Sequence, residues 1–231
     1  MTRKLFWEDM YLREFDAKVI SYDENRVVLD QTAFYPQGGG LVSDTGSVNN
    51  VRVTEVISEG DNIVHILNGL IHLNSGDNVH CKLDWDRRYE IMKMHTAAHL
   101  MSSVIHQRTG ALITGNRIAP DESRIDFSLE SYDKEKILTY IDEVNQIIKQ
   151  GIEVSVFFMK KAEAIRIPGL IKLANATPPD VDILRIVKIG DVDIQADGGV
   201  HVKNTKEIGN IFVTKLENKG RLNRRIYYKL S

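Results

Sequence analysis

The chain has 231 residues, 42% hydrophobic and 27% charged, with a formal net charge of −2. That composition is ordinary for a soluble globular protein of one large or two modest domains. No net field draws nucleic acid, so any RNA affinity has to come from local basic patches. The single cysteine, Cys81, excludes a disulfide framework within the chain and points to a reducing compartment, the cytoplasm. It sits in the alternating run Val79, Cys81, Leu83 and reads as a small buried hydrophobe. Residues 1–19 mix acids with bases and lack a continuous apolar core, unlike a signal peptide. No apolar run approaches the roughly 20 residues of a membrane span.

In chain order, the alternation Phe15, Ala17, Val19 predicts an early strand, and residues 26–29 a second. The stretch Tyr35-Pro36-Gln37-Gly38-Gly39-Gly40 fits neither helix nor central strand. It is a loop whose backbone can approach a ligand, or a plain surface turn. Short β-like runs follow at residues 46–48, 51–53, 63–67 and 79–83, separated by turn signals such as Asn49-Asn50 and Gly60-Asp61-Asn62. Several short strands in so little chain predict a small β-barrel over residues 1–86. From Tyr89 the apolar spacing becomes helical and runs to about Arg108, where Thr109-Gly110 stops it. A second domain is therefore expected over 87–231. Within it, 124–128 reads as a strand and 133–150 as a helix, with Ile137, Ile141, Val144 and Ile148 on one face. Residues 152–158 read as a strand and 161–167 as a short helix ended by Pro168-Gly169. Pro178-Pro179 marks a loop. Strands are expected at 184–189 and 192–195, then a closing hairpin of 212–217 with 224–229 across Asn218-Lys219-Gly220. The fold class is α+β.

Two places carry chemistry. His95 and His99 lie four apart in the long helix, so both imidazoles point from one face. That spacing gives a metal two nitrogen ligands, although two ordinary partly buried histidines share the same pattern. About a hundred residues on comes Asp197-Gly198-Gly199-Val200-His201. Together these offer three imidazoles and one carboxylate, enough for a tetrahedral Zn²⁺. Position 96 is Thr, so the general-base glutamate of an HExxH metalloprotease is missing.

Beyond the residues themselves, the order of motifs resembles the alanyl-tRNA editing proteins, the free-standing AlaX type of medium length, related to the editing domain of alanyl-tRNA synthetase. The matching pieces are Leu29-Asp30-Gln31-Thr32-Ala33-Phe34 leading into the three glycines, Asp44-Thr45-Gly46, Asp86-Arg87-Arg88, His95 to Leu100, Arg124 to Phe127, Ile167-Pro168-Gly169, and Asp191 to Val202 with Thr205 and Glu207-Ile208-Gly209. The resemblance implies an N-terminal β-barrel followed by an α/β editing domain of the type shared by threonyl- and alanyl-tRNA synthetases. It implies hydrolysis of Ser-tRNA(Ala) or Gly-tRNA(Ala) with a Zn²⁺ held by His95, His99, Asp197 and His201. It assigns Thr32 to the pocket wall that senses the serine hydroxyl, so Thr32, His95 and His99 carry the chemistry. Gly38, Gly39, Gly40, Arg87, Arg88 and Gln195 are expected to meet substrate or tRNA, with Lys160, Lys161, Lys219, Arg221, Arg224 and Arg225 as further phosphate contacts. No membrane and no DNA partner is expected, and the chain is expected to be a monomer or weak homodimer. Two departures stand out. Asp197 occupies the family's usual cysteine position, and Leu41 the glutamine after the glycines. Both favour the alternative of a catalytically weakened, tRNA-binding zinc module.

Overall fold

The structure, a computed structural model, describes residues 1–170, 172, 174 and 181–231. The loop expected at Pro178-Pro179 lies outside those residues. The chain forms two compact units, 1–91 and 92–231, so the division falls inside a helix rather than ahead of it.

The first unit begins with β1 (Arg3–Lys4), the short helix α1 (Leu5–Glu8), β2 (Glu14–Asp23), β3 (Arg26–Leu29) and β4 (Gln31–Thr32). It continues with β5 (Gly46–Val48), β6 (Val51–Glu59), β7 (Asn62–Asn68) and β8 (Asn78–Leu83). Six of these strands hydrogen-bond in the closed cycle β2-β3-β7-β6-β5-β8. Closure leaves no sheet edge to pair with another chain. The alternation along β2 buries Phe15, Ala17 and Val19, and that along β8 buries Val79, Cys81 and Leu83. Burial pushes the Cys81 thiol up to about 12, so it is inert at neutral pH.

The glycine run is a four-residue reversal. Gly38 and Leu41 exchange backbone hydrogen bonds of 3.2 and 2.9 Å, and Gly39 and Gly40 between them have φ of 60° and 89°. Two successive positive φ values favour glycine at both sites. Leu41 is not a surface gap left by a missing glutamine; it is a core side chain, 2% exposed.

Arg88 corrects an expectation. The resemblance places it at the tRNA, but its guanidinium is wholly buried in this unit. It pairs with Asp44 and donates to the carbonyls of Ala33 (2.5 Å) and Met10 (3.2 Å). Asp44 also accepts from the Tyr35 N–H at 2.6 Å. The motif arginine and the motif aspartate form an internal clamp, which accounts for both without RNA. Burial would raise the Asp84 carboxyl, but hydrogen bonds from Arg52 and Thr45, then the charges of Arg52 and the half-buried Arg87, outweigh it and hold it down.

Thr32 is fully buried in the same unit. His65 Nδ1 donates to the Val27 carbonyl (3.1 Å), so its Nε2 accepts the Thr32 hydroxyl at 2.8 Å. The Phe34 N–H donates to the same Thr32 oxygen at 3.1 Å. Burial pushes the His65 pKa from 6.5 to about 4. The unfolded chain therefore takes up a proton below pH 6.5 while the native ring stays neutral. Stability is whole above pH 6.5 and is lost as pH falls through about 4, by on the order of 3 kcal/mol. Urea midpoints measured from pH 7 to pH 4 should drop accordingly, and His65→Gln should flatten that limb. An acid limb of equal depth in the variant would contradict the assignment.

The helix α2 (Trp85–Thr109) is followed by β9 (Ile113–Arg117), β10 (Ser123–Phe127), α3 (Lys134–Lys149), β11 (Val154–Lys160), α4 (Lys161–Ala164), β12 (Ile183–Ile189) and β13 (Asp193–Ala196). A single 3-10 turn (Thr205–Ile208), β14 (Ile211–Asn218) and β15 (Arg224–Leu230) complete the second unit. Its two sheets, ordered β14-β15-β10-β9 and β11-β12-β13, are antiparallel throughout. From Ile91 to Ile105 every residue of α2 except Lys93 is buried, as expected of a helix enclosed on all sides. Asp133 caps α3 by accepting from the Lys136 N–H at 3.0 Å. The 3-10 turn carries a capping box of Asn204 and Glu207, and the Thr205 hydroxyl donates to the last turn of α3 at Ile148 O, 3.0 Å. The late motif residues 205–209 are thus architectural. Arg224 and Arg225, expected at phosphate, are instead committed to the fold. Arg224 is buried and donates to the carbonyls of Gly220 and Glu130, while Arg225 grips Asp126 at 2.7 and 2.8 Å. Among the described residues no helix is long and apolar enough to cross a membrane.

Candidate metal centre

His95, His99, Asp197 and His201 come together in the second unit, with their ligand atoms all within 4.8 Å of one another. The i, i+4 spacing on α2 supplies the first two, and the turn leaving β13 supplies the others. The rings pack tightly. His95 stacks on His201 with centroids 4.2 Å apart, and His99 meets each of them edge-on at 4.8 and 4.6 Å.

Each ring has a partner on its far side. His95 Nδ1 donates to the Val200 carbonyl (3.2 Å). His99 Nδ1 donates to Asp193 Oδ2 (3.0 Å). The Thr96 hydroxyl donates to the Met92 carbonyl (2.9 Å), which leaves its oxygen to accept from His201 Nδ1 (3.1 Å) and the Val202 N–H (3.2 Å). With all three Nδ1 positions spent as donors, three Nε2 lone pairs are left to converge. Asp193 is itself paired with the buried Lys172. Although burial would raise the Asp193 carboxyl, His99 and Lys172 hold it down at about 2. Gln195 lies behind His99, its amide donating to Asp193 Oδ2 at 2.9 Å. It is buried there as a brace rather than presented to RNA.

The Asp197 turn is equally fixed. Arg185 Nη1 donates to the carbonyls of Asp197 and Gly199, both at 2.9 Å, and the Gly199 N–H donates to Asp197 Oδ2 at 2.7 Å. A Cβ at Gly199 would lie 2.5 Å from His95 Cε1, so only glycine lets this strand of backbone pass the ring.

The donor set fits a cation. Burial, reinforced by the charges of His201 and His99, drives the His95 pKa well below its ordinary value. Burial takes His201 to about 4. Burial alone would raise the Asp197 carboxyl, but His95, His201 and His99 outweigh it and hold it well below the usual range. At neutral pH an imidazole lone pair on His201 Nε2 therefore faces an ionised carboxylate oxygen 3.0 Å away. Two lone pairs at that distance repel unless positive charge lies between them. Tetrahedral coordination with bonds of about 2.0–2.1 Å puts ligand atoms about 3.3 Å apart. The observed His201–Asp197 and His95–Asp197 separations of 3.0 and 3.8 Å bracket that value.

Thr96, Asp193 and Lys172 escaped the sequence reading. The signal for Asp193 was its i, i+2 relation to Gln195 on a strand, which puts both on one face. Thr96→Val removes an acceptor at nearly constant shape. It should weaken divalent-cation binding about 10- to 100-fold in a chelator competition titration while the protein stays folded. Unchanged affinity would show that the hydroxyl does not orient His201.

A family model described as "Threonyl and Alanyl tRNA synthetase second additional domain" matches residues 184–227, the segment that carries Arg185, Asp193, Asp197 and His201. A second, "tRNA synthetases class II (A)", matches residues 7–87. Fold and site thus define a protein of the synthetase-associated editing type. An Alanyl-tRNA editing protein AlaX-M of Saccharolobus solfataricus is 46% identical, over 99% of this chain and 98% of its own. The AlaX-M protein of Methanosarcina acetivorans is 41% identical over 100% and 99%. An alanine–tRNA ligase of Sulfurisphaera tokodaii is 36% identical over 94% of this chain but only 25% of the ligase. The chain belongs to the family of alanyl-tRNA editing proteins.

Proposed function

We propose that this protein is an aminoacyl-tRNA deacylase that hydrolyses serine or glycine mischarged onto tRNA(Ala), at a zinc centre held by His95, His99, Asp197 and His201. The observation that carries this reading is the convergence of three imidazoles and a carboxylate, each tied from behind, in a chain that aligns end to end with editing proteins. A bound zinc ion supplies Lewis acidity toward an ester carbonyl or a water molecule. The chain's own residues do the rest. Asp193, Thr96 and the Val200 carbonyl hold the three rings in the Nδ1–H tautomer, and Arg185 fixes the turn that presents Asp197. The carboxylate in place of a thiolate makes a harder donor set, which favours oxygen- and nitrogen-loving divalent metals and lowers selectivity for zinc. Thr32, which the resemblance puts in the pocket wall, is instead wholly buried in the first unit, its proton committed to His65 and its oxygen to the Phe34 N–H, so it holds the barrel together rather than sensing a serine hydroxyl. Such an enzyme works where tRNA is charged, in the cytoplasm.

The test uses purified protein with Ser-tRNA(Ala) and Ala-tRNA(Ala), before and after chelator treatment and after zinc is restored. Serine should be released, alanine should be retained, and chelation should abolish turnover until metal returns. Tight tRNA binding with no serine release under any metal loading would instead establish the weakened zinc module.

A further inference from the structure

The buried pair of Lys172 and Asp193 stands beside the metal centre, and the four ligands by themselves do not require the lysine. Its side chain is 6% exposed and that of Asp193 not at all. Burying a lysine costs the hydration of its charge and the freedom of its long stem. The fold nonetheless fixes it there. The Ile113 N–H, at the start of β9, donates to the Lys172 carbonyl at 2.8 Å, and the Ala174 N–H donates to the Ile113 carbonyl at 2.7 Å. From that anchorage the side chain reaches Asp193 on β13, which pairs with Ile189 of β12.

The carboxylate divides its two oxygens. Oδ2 accepts from His99 Nδ1 (3.0 Å) and Gln195 Nε2 (2.9 Å). Oδ1 accepts from Lys172 Nζ, its one donor among the described residues. The division matters because the last torsion of an aspartate, between an sp³ and an sp² carbon, has a broad range and is weakly fixed by its own preferences. Donors to a single oxygen leave the group free to turn, whereas donors to both hold its plane. Gln195 shares an oxygen with His99, so it does not provide the second grip. Lys172 does. The other two rings need no such help. The acceptor for His95 is the Val200 backbone carbonyl, and the acceptor for His201 is a hydroxyl held by the Met92 carbonyl of its own helix. Of the three imidazoles, His99 is the one whose acceptor is a carboxylate that can rotate.

We propose that Lys172 is a positioning residue of the metal centre. By holding Asp193 Oδ1 it keeps Oδ2 on the His99 Nδ1–H, and so keeps the His99 Nε2 lone pair turned to the cation. The proposal rests on the metal-centre reading above and deepens it, since the lysine acts through Asp193 without being a ligand.

The experiment has two readouts on the full chain. In a chelator competition titration with zinc, Lys172→Met should bind the ion about 10- to 100-fold more weakly than the wild type. Lys172→Arg, which keeps a charged donor for Oδ1, should stay within about three-fold of the wild type. The second readout is the imidazole ¹⁵N spectrum of the metal-free protein at neutral pH, which tells the two ring tautomers apart. His99 should pass from a single Nδ1–H form in the wild type to a mixture in Lys172→Met, while His95 and His201 keep theirs. A general loosening of the fold would instead disturb all three rings together, and that result overturns the proposal. So does an unchanged His99 ring, or unchanged zinc affinity, in a folded Lys172→Met. Should the methionine variant not fold, Lys172→Gln, neutral and too short to reach Oδ1 but still polar, takes its place with the same expected and contrary outcomes. A wild type that binds no zinc would count against the metal-centre reading alone. The His99 tautomer in the metal-free chain then still decides whether Lys172 positions the ring.

Discussion

His201→Ala should strip the protein of stoichiometric metal and lower serine release from Ser-tRNA(Ala) by about 10³-fold or more. His201 is fully buried, stacked on His95, and held by Thr96 with its Nε2 toward Asp197. Its removal deletes one donor, leaves a buried space against His95, and leaves the Asp197 carboxylate without that partner. Loss of Lewis-acid stabilisation amounts to several kcal/mol, and each 1.4 kcal/mol is ten-fold in rate. His80 makes the control. It is an exposed histidine that pairs with Asp16 and Glu14 on the barrel, and His80→Ala should change neither metal content nor turnover. Full metal content in His201→Ala, measured by elemental analysis, would remove His201 from the ligand set.

The second large effect lies in the first unit. Asp44→Ala should destabilise it by about 3–5 kcal/mol, because Arg88 would be left as a buried, unpaired cation. Replacing both partners, as Asp44→Leu with Arg88→Met, should recover much of that loss, since well-packed apolar groups then fill the site. Chemical denaturation followed on the barrel's own signal reads both. A loss under about 1 kcal/mol in Asp44→Ala would show that the pair is not the clamp described.

These two sites show what a sequence reading reaches and where it stops. The histidine spacing on α2 and the Asp197 to His201 turn were legible because helix periodicity fixes which side chains share a face. Most strands were legible for the same reason at period two, and the α3 cap and stripe followed from Asp133 and the isoleucines. The strand β9 was missed. Its sequence Ile113-Thr114-Gly115-Asn116-Arg117 has little β character, and pairing with β10 rather than local preference makes it a strand. The helix α2 starts at Trp85, four residues before the apolar spacing becomes regular. Arg88, Arg224 and Arg225 were read as phosphate contacts because charge alone does not reveal a buried carboxylate or carbonyl partner far along the chain. Asp193 and Thr96 were passed over for the matching reason. Their function is to hold another side chain, and that relation exists only once strand and helix are packed.

The most direct test of the metal centre is X-ray absorption at the zinc edge on zinc-loaded protein. The expected first shell is nitrogen and oxygen at about 2.0–2.1 Å, with outer-shell imidazole scattering from three rings. The only cysteine, Cys81, lies buried in the barrel, so no sulfur should be seen. A scatterer at about 2.3 Å, the length of a zinc–sulfur bond, or a spectrum without imidazole multiple scattering, would contradict the assignment of His95, His99, Asp197 and His201.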